Sequence, residues 1–183
     1  MLQRTRIVVA GLDEHGRSAV LRDSDAHRDL ENPDWPGFGV KLLWSESQTP
    51  VPQVARRDRV PRDAQILPEA AGTSFVLCEF PPRSDLAKMA ADQRARAQGL
   101  TFGDTAGEGK LALHATPTLD YLVMISGELT LLLESGETTL HAGDVLIDCG
   151  VPHGWENRGD VPARCAVVMV GAIAPTTTNE DPA

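Results

Sequence analysis

Short apolar runs separated by glycine-bearing turns dominate the second half of the chain. Between residues 111 and 171 the runs are Leu129–Leu133, Thr138–His141, Val145–Ile147 and Cys165–Val170. They are interrupted by Ser135-Gly136, Ala142-Gly143, Cys149-Gly150 and Arg158-Gly159. This spacing is typical of strands joined by turns and not of helices. It predicts a small β-barrel that the rest of the chain supports and closes.

The first half of the chain predicts fewer strands and longer connections. Four segments have the composition of strands, namely 4–10, 18–22, 38–44 and 73–80. The first two flank a glycine-containing turn at residues 13–16, so we expect them to form a β-hairpin. Polar, proline-bearing segments predict the loops, namely 23–37 and 47–63.

One segment predicts a helix. Residues 84–98 begin with Ser84, a favourable N-cap, and are followed by Gly99, a typical helix stop. The apolar face of this segment is thin, so we expect the helix to pack weakly and either to lie across an opening as a lid or to be partly mobile. We expect a single domain in three parts: N-terminal strands and loops (1–72), the barrel (73–173) and a frayed tail (174–183).

Composition narrows the function classes. The 183 residues carry a formal net charge of −9, which argues against binding to nucleic acid or to an anionic membrane surface. The three cysteines, Cys78, Cys149 and Cys165, are far apart and odd in number, which indicates a reducing compartment with buried thiols. No apolar stretch is long enough for a signal peptide or a membrane span, so we expect a cytoplasmic protein.

Residues 114–127 and 143–157 resemble the two signature motifs of the cupin superfamily. The first motif has two histidines, a glutamate and a glycine, and these positions hold His114, Thr116, Asp120 and Gly127. The second has two glycines, a histidine and an asparagine, and these positions hold Gly143, Gly150, His153 and Asn157. Asp148 stands where proline is usual. The block is also similar to a subgroup of small single-domain cupins with HxTxTxDY and GxxHxWxN motifs.

The resemblance implies an all-β fold: a cupin barrel (double-stranded β-helix or jelly roll), here with an N-terminal β-hairpin arm and one short helix. It also implies a divalent transition metal (Fe, Zn, Mn or Ni) held by His114, Asp120 and His153. Two imidazoles and one carboxylate form the facial set of non-haem iron sites and leave positions open. Thr116, where the family usually supplies a second histidine, is a poor ligand.

The resulting hypothesis is a metal-dependent enzyme of oxygenase, isomerase, decarboxylase or dehydratase type, acting on a small organic molecule inside the barrel. Asp120 and His153 are the catalytic candidates, and the substrate-binding candidates are Trp155, Thr116 and Trp44. Two alternatives stay open: a metal-free barrel in which Asp120 or His153 is a general acid or base, and a barrel that only binds a ligand or has a structural role. Because cupins are commonly dimers and a hairpin edge can pair with a second copy, we expect a homodimer.

Overall fold

The computed structural model describes residues 2–26, 29–31, 37–51, 65–87 and 113–173. Its strands in chain order are β1 (Arg6–Leu12), β2 (Ser18–Asp25), β3 (Asp29–Glu31), β4 (Gly39–Glu46), β5 (Thr73–Phe80), β6 (Thr118–Ser126), β7 (Glu128–Leu133), β8 (Gly136–His141), β9 (Val145–Asp148), β10 (His153–Glu156) and β11 (Ala163–Gly171). A short helix, α1 (Arg83–Ala87), follows β5. The all-β fold class predicted from the sequence is confirmed.

Two antiparallel sheets form the barrel. The larger has six strands in the order β3-β4-β5-β11-β6-β9, and the smaller has three in the order β10-β7-β8. Successive side chains of a strand point to opposite faces, and the inward set forms one core: Val40, Leu42, Val76, Phe80, Leu122, Met124, Leu129, Leu140, Ala163, Cys165, Val167 and Met169. The core packs the floor and walls of the cavity described below.

The hairpin β1–β2 is a two-stranded sheet of its own. The segment before it crosses the large sheet, where the Gln3 amide donates to Glu79 Oε1 at 2.8 Å and Arg164 donates to the Gln3 side-chain oxygen at 2.9 Å. Leu2 is buried, with its side chain against Gly39. The arm is therefore fixed to the barrel at its base.

Most predicted elements of the described region match the structure. Strand β5 has the predicted bounds of residues 73–80, and the hairpin, β4 and the strands after residue 128 differ by a few residues at their ends. The loop predicted at 23–37 was wrong in part, since β2 continues to Asp25 and β3 pairs with β4. There the buried ammonium of Lys41 lies 2.7 Å from Asp29. A buried charge requires a partner, and the pairing with Asp29 holds β3 against β4, although the polar sequence of β3 predicts a loop.

The helix predicted at 84–98 is present at its start, as α1. Residues 88–98, most of the 47–63 connection and the tail 174–183 lie outside the described residues. Within the described ranges, no helix is long and apolar enough to cross a membrane.

Candidate functional site

A cavity opens between the two sheets. About 760 Å³ of empty space lies within it when the open mouth is counted. Its apolar wall consists of Phe38, Val40, Ile66, Leu67, Phe80, Leu122, Leu146, Trp155, Val167 and Met169. Its polar and thiol side chains are Cys78, His114, Thr116, Asp120, Asp148, His153 and Cys165. The cavity is thus largely apolar, with a few ionisable side chains.

His114 and His153 lie side by side in this cavity. Each backbone amide donates to the carbonyl of the other residue at 2.9 Å, which holds the two segments as an isolated antiparallel bridge. The ring centroids are 4.4 Å apart with 55° between the ring planes. Trp155 meets the His153 ring edge-on at a centroid distance of 5.6 Å. His114, His153 and Trp155, all candidates from the sequence, thus line the same cavity.

Asp148 fixes the orientation of His153. Its Oδ2 lies 2.8 Å from His153 Nδ1, and both side chains are almost fully buried. The other carboxylate oxygen, Oδ1, accepts the backbone amides of Gly150 at 2.8 Å and Val151 at 3.2 Å. His153 Nδ1 is also 2.9 Å from the Val151 carbonyl oxygen. Because both neighbours of Nδ1 are acceptors, Nδ1 carries the proton, and Nε2 is the atom available for chemistry.

Asp120 lies opposite Asp148, at paired positions of β6 and β9. Its carboxylate is hydrogen-bonded to Thr118, whose hydroxyl is 2.7 Å from that of Thr116. The second oxygen, Oδ1, is buried and has no hydrogen-bond partner among the described residues. A buried oxygen without a partner is costly for a charged carboxylate, so this side chain is suited to the protonated form or to a bound ligand.

The surroundings drive the pKa values of these groups apart. Burial raises the pKa of Asp120, and the charge of Asp148 raises it further. Burial opposes ionisation of Asp148 too, but the hydrogen bond from His153 and the two backbone amides lower its pKa on balance. For His153, burial is outweighed by the bonds to Asp148 and Val151, and its pKa is raised. Burial and the neighbouring His153 lower the pKa of His114 to about 4.

The structure brings together five of the six side chains proposed for the site: His114, Thr116, Asp120, His153 and Trp155 line the cavity. It does not bring Trp44 to the cavity wall; the indole N–H of Trp44 donates to Glu46 Oε1 at 3.0 Å. Asp148, which lines the same cavity and contacts His153, was not among the residues predicted for the site. The sequence did contain an indication of this role, because Asp148 replaces the proline that is usual in the motif. It stands two residues before Gly150 and five before His153.

The predicted metal site requires three donors around one point. The described residues contain no group of three His, Cys, Asp or Glu side chains arranged to hold an ion. His153 Nδ1 and Asp148 are engaged with each other, and Thr116 shares its hydroxyl with Thr118. In this arrangement the described donors do not converge on one point, and the assignment of His114, Asp120 and His153 as ligands stays a prediction.

Comparison with known proteins agrees with the barrel and its motifs. Residues 103–170 match the family model described as "Cupin domain". This match identifies the segment as a cupin domain. The finer assignment, to the HxTxTxDY and GxxHxWxN subgroup, stays a prediction.

Two curated fungal proteins are similar over a short stretch. The Phomopsin biosynthesis cluster protein D of Diaporthe leptostromiformis is 41% identical over 60 residues, 32% of each chain. The cupin-domain-containing oxidoreductase virC of Hypocrea virens is 36% identical over 62 residues, again 32% of each chain. The match spans about a third of the length of these relatives.

Among solved structures, an uncharacterised protein from Klebsiella pneumoniae with a double-stranded β-helix domain is similar, with a TM-score of 0.44 and 17% identity. The similarity covers 80% of this chain and 86% of the other.

Proposed function

We propose that this cupin is an enzyme in which His153 transfers a proton to or from a small, largely apolar organic molecule held in the barrel. One observation carries the proposal: a buried Asp148–His153 pair, 2.8 Å between Oδ2 and Nδ1, lies in the wall of an otherwise apolar cavity. Burying an ion pair costs desolvation free energy, so this pair is better explained by a function than by a gain in stability. A carboxylate that orients a histidine is a recurring arrangement in proton-transfer sites.

The pair supports proton transfer in a defined way. Asp148 and the Val151 carbonyl hold the Nδ1 proton, so the proton gained or lost in the reaction is on Nε2. The charge of Asp148 stabilises the imidazolium that forms, and this raises the pKa of His153 above the ordinary 6.5 after burial is overcome. His153 can therefore exchange a proton near neutral pH.

Asp120 supplies the complementary group. Its pKa is raised chiefly by burial, while the pKa of Asp148 across the strand pair is lowered on balance. Two carboxylates whose pKa values are driven apart can take different roles, one protonated and one ionised. We assign Asp120 as the acid that donates a hydrogen bond or a proton to a substrate oxygen, and His153 as the base.

This arrangement fits proton abstraction next to a carbonyl group followed by reprotonation or loss of a hydroxyl, the chemistry of isomerases and dehydratases. Phe80 and Trp155 pack together, with ring centroids 6.2 Å apart, and form an aromatic wall against which a planar apolar body can lie. The substrate class is therefore a carbonyl compound with an apolar or aromatic body and no fixed charge.

A solvent-exchange assay tests this proposal without knowledge of the physiological substrate. The protein is incubated in D2O with a panel of aryl and alkyl ketones and β-hydroxy ketones, and deuterium incorporation next to the carbonyl is followed by NMR. Wild type is expected to accelerate exchange for some members, and His153→Gln to lose on the order of 10²–10⁴ of that acceleration. His141→Gln, at an exposed histidine, is the matched control. Equal rates for wild type and His153→Gln would contradict the proposal.

A second candidate is the metal-dependent enzyme predicted from the sequence. Two observations favour it: the His114 and His153 rings are adjacent, at 4.4 Å between centroids, and Asp120 Oδ1 is buried without a partner among the described residues. Elemental analysis of untagged protein after supplementation with Fe, Zn, Mn and Ni tests this candidate. About one ion per chain, lost in His114→Ala, would support it, whereas far less than one ion would contradict it.

We also propose a homodimer in the cytoplasm. A row of exposed apolar side chains crosses the outer face of the large sheet at paired positions: Phe75, Val168, Tyr121 and Ile147. A second row of mostly apolar side chains beside it includes exposed Val123 and Val145. Contiguous exposed apolar surface of this kind is typical of an interface, and a second copy of the chain is the partner we propose.

A further inference from the structure

Two thiols of this chain face each other in the cavity wall. Cys78 of β5 and Cys165 of β11 are directly opposite partners in the antiparallel register. Both line the cavity, and their side chains are in hydrogen-bonding contact. Buried single cysteines act as small apolar fillers, but a directly opposed, contacting pair that borders a cavity has a further capability.

The backbone geometry is compatible with a covalent bond between them. Directly opposite residues of an antiparallel pair have Cα atoms about 4.5–5.5 Å apart. Disulfides form at Cα separations of about 4.4–6.8 Å. The two thiols interact with each other from directly opposed positions of paired strands, so a disulfide can form without separating the strands.

The two cysteines differ in access. Cys78 is half-buried at the cavity, whereas Cys165 is almost fully buried, with 1% of its surface exposed. The hydrogen bond to Cys78, together with burial, raises the pKa of the Cys165 thiol. Cys165 thus stays a thiol, and an oxidant small enough to enter the cavity meets Cys78 first.

We propose that Cys78 and Cys165 form a reversible disulfide, an oxidative modification site in the wall of the ligand cavity, with hydrogen peroxide as the oxidant. The Cys78 thiolate attacks one peroxide oxygen, the O–O bond breaks, and a sulfenic acid and one water form. The Cys165 sulfur then attacks the Cys78 sulfur and expels a second water. In sum, two thiols and one peroxide give one disulfide and two waters.

The bond changes the site. It brings the sulfur atoms to about 2.05 Å, removes two S–H groups from the cavity wall and covalently joins β5 to β11. The cavity of the oxidised chain therefore differs from that of the reduced chain in both shape and polarity.

The experiment uses the folded full-length chain carrying Cys149→Ser, because Cys149 is the exposed thiol. After treatment with peroxide and trapping of remaining thiols, mass spectrometry of the tryptic digest is read for a cross-link between residues 63–83 and 165–183, which contain the two cysteines. We expect cross-linked peptide, a loss of two hydrogens from the intact mass, and full reversal by dithiothreitol.

Cys78→Ser in the same background is the matched control and is expected to lose the cross-link while Cys165 remains a thiol. Separate oxygen adducts on the two cysteines, or a cross-link that forms only in urea, would overturn the proposal. The Cys149→Ser chain alone decides between these outcomes, so the result does not depend on the folding of the Cys78→Ser variant.

Discussion

His114 and His153 share a pair of backbone hydrogen bonds, yet their surroundings favour opposite protonation states. Asp148 and the Val151 carbonyl stabilise a proton on His153, whose pKa is raised. The burial of His114 next to that ring lowers its pKa to about 4. His114 is therefore neutral at neutral pH, whereas the pKa of His153 is shifted in the opposite direction, although the sequence presents the two residues as equivalent ligand candidates.

The Asp148→Asn variant tests the role of the carboxylate. Backbone amides occupy Oδ1, so the asparagine oxygen is expected to take that position and its NH2 group to face His153 Nδ1. A donor there favours the wrong tautomer, with the proton on Nε2. We expect loss of deuterium exchange by on the order of 10²–10⁴, with the fold retained by circular dichroism. In the matched control, Asp144→Asn, an exposed turn aspartate that accepts the His141 amide is replaced, and exchange should persist.

His114 provides a test by pH. Its folded pKa of about 4 lies below the ordinary 6.5, so between these values the unfolded chain binds a proton that the folded chain does not. Stability from this residue is complete above pH 6.5 and falls as the pH is lowered towards 4. Relative to His114→Gln, wild type should lose roughly 1–3 kcal/mol over this range, measured by urea unfolding with a chelator present. A constant difference across the range would contradict the assignment.

The residue scale also shows the limit of sequence reasoning. His114, Asp120, His153 and Trp155 were predictable, because motif spacing fixes which residues share a barrel face. The role of Asp148 was not, because it depends on the β6–β9 register and on the turn that follows β9. The position of Trp44 was not predictable either, since a register irregularity between Leu42 and Trp44 breaks simple alternation.

At the scale of elements, the Gly150 turn positions Asp148 and His153 next to each other. Gly150 has a φ of 73°, and a Cβ there would lie 2.8 Å from the Thr116 carbonyl oxygen and 2.9 Å from that of Thr118. Only glycine satisfies both requirements. The turn therefore packs against the segment that carries His114 and connects Asp148 to His153.

Gly150→Ala is expected to lower the free energy of unfolding by about 2–4 kcal/mol, because it adds a backbone clash to the strain of a positive φ. Gly143→Ala is the matched control: Gly143 also has a positive φ, but a Cβ there meets nothing within 4 Å. It should cost only about 1 kcal/mol. Equal losses in urea unfolding would show that close packing at Gly150 contributes nothing.

Elements were predictable where pattern alone decides them. Strand β5 alternates between two faces and ends before two prolines, so its bounds follow from local sequence. Strand β3 is a three-residue polar segment that forms because Asp29 neutralises buried Lys41, and this interaction depends on tertiary contacts. The local sequence pattern of β3 therefore does not predict this strand.

At the scale of the whole molecule, the outer face of the large sheet carries the proposed assembly. Tyr121→Lys combined with Val145→Lys places two charges in the exposed apolar rows and should halve the mass measured by light scattering. Val161→Lys, at an apolar residue that is also exposed but lies in the loop before β11, is the control and should leave the mass unchanged. A monomeric wild type at high protein concentration would contradict the dimer.

The central proposal is that this protein transfers protons through His153 and Asp148 without needing an ion. The most direct test measures deuterium exchange into the responsive carbonyl compounds with protein stripped of metals by chelation, and again after reloading with Fe, Zn, Mn or Ni. We predict the same rate in both states and loss of exchange in Asp148→Asn in both. Exchange that is absent from the stripped protein and restored by one of these metals would contradict the claim.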